Sequence, residues 1–156
     1  MKIVHTNELP FTEALKRGQF ESHRKELGGQ KLGCGLWQLP AGKKSFPLHA
    51  HSVTEEALFV LTGTAKVRTP DGLQTISAGD YVSFPAGGPA HQLINDGTEP
   101  MTYLAMSVSQ GFDWVDYPDS NKIGFSVGPK GVGKRVLFKA DAGVDYFKDE
   151  PSADEG

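Results

Sequence analysis

Short stretches of apolar residues, alternating or clustered, recur along most of the chain with glycine and proline between them. The stretches are rich in β-branched and aromatic residues and are too short for a helical period, which is typical of strands. Turn-forming sequences separate several of them, including Pro-Asp-Gly at 70–72 and Asp-Gly at 96–97, whose residues adopt the φ values that tight reversals need. The pattern predicts eight strands, at residues 36–39, 47–51, 57–62, 64–69, 73–76, 81–84, 91–95 and 101–108.

The two ends of the chain are less regular. Residues 12–26 suit a short helix that Gly18 weakens, with lysine and arginine side chains on a solvated face. Beyond Gly111 the pattern indicates a glycine-rich loop at 128–133 and one further strand at 135–139. We expect a single domain with four parts: an N-terminal extension at 1–32, a barrel core at 33–110, a C-terminal extension packed on the barrel at 111–148, and a disordered acidic tail at 149–156.

Eight short strands joined by tight turns predict an all-β fold, closed or sandwich-like, such as a jelly-roll barrel. The length of 156 residues suits one domain, because compact domains of this size bury well over half of their unfolded surface. Hydrophobic residues make up 38% of the chain, which is enough for a packed core and argues against disorder.

Charge and composition exclude several classes of function. Nineteen acidic and sixteen basic residues give a net charge of −3 without a basic stripe, so nucleic acid is not an expected partner. The chain has no run of eighteen apolar residues and no apolar leader after Met1, so we expect no membrane contact and a cytoplasmic location. Cys34 is the single cysteine, which rules out an intrachain disulfide and indicates a small buried apolar residue.

Three of the five histidines and one glutamate form the strongest chemical signal. His49 and His51 lie two apart in an extended segment, where side chains project from the same face and can share one ion. Glu56 follows a short turn and His91 begins a later strand, so all four side chains can converge inside a barrel. Imidazole and carboxylate ligands predict one divalent transition metal, Mn, Fe, Ni, Co, Cu or Zn. The alternative, individually hydrogen-bonded histidines on a sheet, is less favoured for three residues in this arrangement.

These residues fall in two segments, 42–63 and 79–95. The first contains His-x-His at 49–51 and then Glu56, and six residues separate Glu56 from Gly63. The second contains Pro-x-Gly at 85–87, then His91 and Asn95. Together the segments resemble the two signature motifs of the cupin superfamily, in the family's order and with a short spacer between them. The resemblance implies a double-stranded β-helix, which is a jelly-roll barrel, and the metal ligands His49, His51, Glu56 and His91.

Two departures from the family pattern concern loops. Six residues instead of five separate Gly42 from His49, and three instead of two separate Gly87 from His91. Both insertions precede a ligand, so they affect loop shape more than ligand identity. Glu55 is a competing ligand, but Glu56 shares the inward parity of residues 58 and 60, which favours Glu56.

The resemblance implies a metal-dependent enzyme that acts on a small molecule chelating the ion through oxygen. Sugar-phosphate isomerase-like activity stands first, and dioxygenase and decarboxylase activities remain compatible. A cupin sensor that binds a metal or small ligand without turnover is the alternative. No catalytic residue is assigned outside the metal ligands, although Tyr103 and Gln92 are candidates for the general base if they point inward. We also expect a homodimer formed through the outer strands and the flanking segments.

Overall fold

The computed structural model describes residues 1–29, 31–108, 110–128 and 133–151, and these residues form an almost purely β structure. Short 3-10 helices occupy Thr6–Glu8 and Pro118–Ser120. The strands of the described residues are β1 (Thr12–Arg17), β2 (Phe20–Gly28), β3 (Leu32–Leu39), β4 (Ala50–His51), β5 (Glu55–Thr62), β6 (Thr64–Thr69), β7 (Gly72–Ser77), β8 (Tyr81–Phe84), β9 (Gln92–Ile94), β10 (Met101–Val108), β11 (Phe112–Tyr117), β12 (Lys122–Val127) and β13 (Lys134–Lys139).

The strands pair antiparallel in three sheets. One sheet has the order β1-β2-β3-β10-β5-β8, a second β7-β6-β9, and a third β13-β12-β11-β4. Each of the eight predicted strands overlaps an observed one, and so does the strand predicted at 135–139. The all-β jelly-roll barrel predicted from the turn spacing is therefore confirmed.

The helix predicted over residues 12–26 is wrong. This segment forms the β1–β2 hairpin, in which Arg17 pairs with Phe20 and Gly18 takes the positive φ of 59° that the turn requires. Pairing of β2 with β3 outweighs the weak local helix preference of the segment. Residues 129–132 of the predicted loop and 152–156 of the predicted tail lie outside the described residues.

The hydrophobic core lies between the first two sheets. Leu39, Val60 and Met101 are fully buried, and Tyr103 and other apolar residues of β5, β6, β7, β9 and β10 pack around them. Burying one side chain of this size contributes roughly 1.5–3 kcal/mol, so the core supplies most of the stability of the barrel. Among the described residues, no helix is long and apolar enough to cross a membrane.

Asn95 fixes the chain just after β9, the strand that begins directly after His91. Its side chain is fully buried; Nδ2 donates to the carbonyl oxygens of Leu39 at 3.0 Å and Glu99 at 2.9 Å. Its Oδ1 accepts from the Gly97 amide at 3.0 Å, which closes the Asp-Gly turn. The amide group therefore anchors the second motif segment to β3.

Candidate metal centre

Four side chains from two segments of the sequence, residues 49–56 and residue 91, meet in one cluster. The Oε2 atom of Glu56 lies 3.3 Å from His91 Nε2, 3.6 Å from His51 Nε2 and 3.9 Å from His49 Nε2. One ligand atom each of His49, His51 and Glu56 lies within 4.8 Å of the others. The structure thus brings together all four residues that the sequence singled out.

Backbone pairing places the histidines opposite one another. His49 and His91 form an antiparallel bridge in which each amide donates to the other residue's carbonyl oxygen, at 3.2 and 2.8 Å. His51 lies two residues further along the same extended segment, in β4, so its ring joins theirs on one face. The ring centroid of His49 lies 4.8 Å from that of His91 and 5.0 Å from that of His51.

The strand parity of β5 decides between the two glutamates. Glu55 is exposed, whereas Glu56 lies on the face that carries the buried Leu58 and Val60. Side chains alternate across a strand, so only one of two neighbouring residues can face the interior. The structure places Glu56 in the centre and Glu55 on the outside, as the sequence predicts.

Hydrogen bonds to the far nitrogens orient two of the rings. His49 Nδ1 donates to the carbonyl oxygen of Pro47 at 2.8 Å, and His51 Nδ1 bonds to the carboxylate of Asp113. A carbonyl or carboxylate oxygen can only accept here, so Nδ1 carries the proton and the Nε2 lone pair faces Glu56. This is the tautomer that a histidine needs to bind a metal through Nε2.

Asp113 was not identified from the sequence. It lies on β11, is 4% exposed, and accepts from the backbone amides of Val53 at 3.0 Å and Thr54 at 3.4 Å. Burial alone raises the pKa of Asp113, but the hydrogen bonds from His51, Thr54 and Val53 outweigh burial and hold it below its ordinary value. No local signal marked Asp113, because β11 carries apolar residues on both faces and its pairing with β4 joins distant parts of the chain.

His91 is held by stacking. Its ring lies 3.8 Å from the Phe84 ring, nearly parallel at 12°. Its buried Nδ1 has no hydrogen-bond partner within the described residues, so stacking on Phe84 is the contact that orients the ring. Its Nε2 atom faces the centre and lies 3.3 Å from Glu56 Oε2.

The protonation states suit a cation. Burial, and then the neighbouring His91, lower the pKa of His49 to about 4, so its ring is neutral near pH 7. Burial raises the pKa of Glu56. The hydrogen bond with His91 and the nearby His51 and His49 lower it by more than burial raises it, so the pKa of Glu56 lies below its ordinary value. Metal binding requires this combination of neutral imidazole and ionised carboxylate.

The donor set and its spacing fit a divalent transition metal. Bonds of about 2.0–2.2 Å to histidine nitrogen and carboxylate oxygen place neighbouring ligand atoms roughly 3–3.5 Å apart. From Glu56 Oε2, the distance of 3.3 Å to His91 Nε2 lies within this range, and the distances of 3.6 and 3.9 Å to His51 and His49 are slightly longer. Small side-chain adjustments would close the ligands around an ion, and a six-coordinate ion would keep two positions for other oxygen ligands.

A cavity of about 70 Å³ has Glu56 in its lining. Room for it comes from small inward residues in neighbouring strands, since Gly35 and Ala105 pair directly across β3 and β10. A Cβ atom at Gly35 would lie 2.8 Å from the indole Nε1 of Trp37, so this indole covers the glycine. The cavity is lined by Glu26, Gly33, Cys34, Gly35, Trp37, Glu56, Ala105, Met106 and Ser107.

The two candidates for a general base lie in different surroundings. Tyr103 belongs to the core, where burial and then the charge of Glu56 raise its pKa, so the hydroxyl keeps its proton. Gln92 donates from Nε2 to the Phe46 carbonyl at 2.6 Å and accepts at Oε1 from Arg68 at 3.5 Å. The amide of Gln92 is therefore tied to groups outside the centre, and its catalytic role stays a prediction.

Comparison with known proteins places this arrangement in a family. The family model described as the cupin domain matches residues 35–107. A solved structure from Acidithiobacillus ferrooxidans, provisionally named a sugar phosphate isomerase, is 32% identical, with 80% of this chain and 81% of that chain covered and a TM-score of 0.71. No curated protein sequence matches significantly.

Two further structures share the fold at lower identity. A sugar phosphate isomerase of the cupin superfamily from Silicibacter pomeroyi is 21% identical over 90% of this chain and 94% of that chain, with a TM-score of 0.78. A predicted oxalate decarboxylase from Thermotoga maritima is 20% identical over 69% of this chain and 98% of that chain, with a TM-score of 0.60. The match of the cupin domain model to residues 35–107, with the 32% identical structure that covers 80% of the chain, shows that the chain belongs to the cupin superfamily.

Proposed function

We propose that this cupin is a metal-dependent enzyme that acts on a small molecule chelating the ion through two neighbouring oxygens. The observation that carries the proposal is the double position of Glu56, which lines the cavity and whose Oε2 atom lies within 3.9 Å of the Nε2 atoms of all three histidines. Isomerisation of a small sugar or sugar phosphate is our first assignment, supported by the name given to the 32% identical structure. Dioxygenase and decarboxylase activities would use the same kind of centre and are our second choice after isomerisation.

Each residue of the centre has a separate task in this proposal. His49, His51, His91 and Glu56 hold a divalent ion, which would supply Lewis-acid polarisation of a bound oxygen. Asp113 keeps the ring of His51 in the orientation that presents Nε2. The protonated Tyr103 hydroxyl is no base at neutral pH, so proton removal from a substrate requires another group.

Polar groups at the cavity wall suit a hydroxylated substrate. The indole Nε1 of Trp37 lies over Gly35 as a donor, and the carboxylate of Glu26 is an acceptor at the rim. Arg24 bridges the two, with Nη1 3.4 Å from Glu26 and its guanidinium 5.6 Å from the Trp37 ring centre. One donor and one acceptor beside a cation are the groups that an α-hydroxycarbonyl compound would engage.

The size and charge of the cavity restrict what enters it. At about 70 Å³ the cavity is well below the roughly 300–1,000 Å³ of a typical small-molecule site, so it admits only the reacting end of a substrate. The described lining residues include two carboxylates and neither lysine nor arginine. A phosphoryl group is therefore expected to stay outside the cavity, on the side of Arg24.

The second candidate function is a sensor that binds a metal and a small ligand without turnover. The observation that favours it is the state of the two predicted bases, since Tyr103 keeps its proton and Gln92 is bonded elsewhere. Elemental analysis of purified protein, followed by turnover assays with small sugar phosphates, dicarbonyls and dicarboxylates, separates the two functions. Turnover supports the enzyme, whereas ligand-induced stabilisation of the metal-loaded protein without turnover supports the sensor.

A single methyl group tests the cavity. Gly35→Ala is expected to lower kcat/KM by at least about tenfold while leaving the metal content unchanged, because the new Cβ displaces the Trp37 indole. Gly143→Ala is the matched control, since a Cβ there meets nothing within 4 Å. If the protein is a sensor, the same loss appears in ligand affinity. Wild-type behaviour of Gly35→Ala in both assays would place the substrate elsewhere.

A further inference from the structure

Strands β11, β12 and β13 present a row of apolar side chains to the outside of the barrel. Trp114 pairs with Phe125, which in turn pairs with Val136, so these three side chains lie side by side across the sheet. All of the row except the half-buried Ile123 are between 41% and 54% exposed. This outer apolar face consists of Phe112, Trp114, Ile123, Phe125, Val127, Val136 and Phe138.

Packing on the barrel does not account for this face. The opposite side of β11 carries Asp113, Val115 and Tyr117, all buried, and this is the side that reaches the metal centre. Single exposed apolar residues are ordinary on protein surfaces, but a contiguous patch of seven is typical of an interaction surface. The one charged side chain of β11 on the outer side, Asp116, accepts from the indole of Trp114 at 3.1 Å.

The chain carries a matching apolar segment next to the face. A cleft of about 410 Å³ runs over the outer apolar face, with Ala142 and Gly143 at one end of its lining. Immediately after it, Val144, Tyr146 and Phe147 are 60–86% exposed, and we call residues 144–147 the C-terminal arm. The rings of Tyr146 and Phe147 touch each other at 4.9 Å between centroids, yet both remain open to solvent.

We propose that the outer apolar face binds the same face of a second copy of this chain about a two-fold axis, with each C-terminal arm lying in the cleft of the other copy. A cleft and an apolar arm on one chain are self-complementary, which is the requirement of a two-fold contact. With roughly 200 Å² for an aromatic side chain, the exposed parts of face and arm amount to on the order of 1,000 Å² per copy. Stable complexes bury about 800 Å² per partner, so the area suffices.

Light scattering coupled to size-exclusion chromatography tests the face in the full chain. The wild-type protein is expected at twice the chain mass of 16.8 kDa, and Phe125→Glu at the single mass, because a buried carboxylate opposes association. Leu73→Glu is the matched control, since Leu73 is also an exposed apolar residue, at 57% against 41% for Phe125, but lies on β7 in another sheet. Circular dichroism and metal content confirm that Phe125→Glu is folded.

Three results would overturn the proposal. A monomeric wild-type protein excludes the dimer, a dimeric Phe125→Glu that matches Leu73→Glu excludes the face, and open-ended assembly excludes a two-fold contact. The arm has its own test, the double variant Tyr146→Ser with Phe147→Ser. This variant is expected to raise the dimer dissociation constant at least about tenfold, since two aromatic contacts are lost. An unchanged constant would show that the arms do not cross between copies.

Discussion

Replacing His51 with alanine is expected to lower the affinity for a divalent metal by more than about 100-fold, because loss of a mere supporting partner of a ligand already costs 10–100-fold. The ring lies 3.6 Å from Glu56 Oε2 and is fixed from behind by Asp113, so its removal deletes an oriented donor. Elemental analysis after dialysis, and titration with Zn²⁺ or Mn²⁺, measure the loss.

The barrel of the His51→Ala variant is expected to remain folded. His51 lies in the two-residue strand β4 at the end of the barrel, whereas the core is formed by residues such as Leu39 and Val60 in other strands. Thermal unfolding of the metal-free variant is therefore expected to match that of metal-free wild-type protein to within a few degrees.

His23→Ala is the control for this experiment. His23 is a half-buried histidine on β2, outside the centre and close to Glu21, so its loss leaves the four ligands untouched. Metal retention by His51→Ala at the level of His23→Ala would disprove the centre. Unfolding of His51→Ala without any such effect in His23→Ala would instead show that the ion is structural.

The central strands were predictable because their signals are local. Turn residues such as Gly63 and Gly72 adopt positive φ between strands, and the apolar residues of β5 and β10 project into one core. The hairpin at 12–28 was not predictable in the same way, because its strands are set by pairing with β3 and its own residues are only partly buried.

Strand β11 escaped prediction for a different physical reason. A strand with one buried face shows alternation of apolar and polar residues, but β11 carries Phe112 and Trp114 outward and Val115 and Tyr117 inward. Apolar residues on both faces erase the period of two from the sequence. The outward apolar side chains of β11, which belong to the outer apolar face, are therefore the reason why the alternation is missing from this strand.

The four residues of the centre were predictable from spacing, and Asp113 was not. His49, His51 and Glu56 lie within eight residues of one another, so their parity on extended chain can be worked out from the sequence alone. Asp113 reaches His51 across 62 residues, through pairing of β11 with the short strand β4. No local rule predicts that pairing.

Replacing Asp113 with asparagine is expected to lower metal affinity by about 10–100-fold. The carboxylate is surrounded by donors, since one oxygen bonds to His51 Nδ1 and the other accepts from the amides of Val53 and Thr54. An asparagine of the same size turns one of the two sides into a donor, so it cannot satisfy both. Either His51 loses its orienting bond or the turn at residues 53–54 loses its anchor.

The spectrum of the Co²⁺-loaded protein separates a positioning role of Asp113 from a structural one. Asp113→Asn is expected to change the visible absorption of bound Co²⁺, because the ring of His51 reorients, while Asp116→Asn on the outer side of the same strand leaves it unchanged. Wild-type affinity and spectrum in Asp113→Asn, with only a lower melting temperature, would identify Asp113 as an anchor of the turn before β5. Weaker binding with an altered spectrum shows instead that β11 supports the centre through His51.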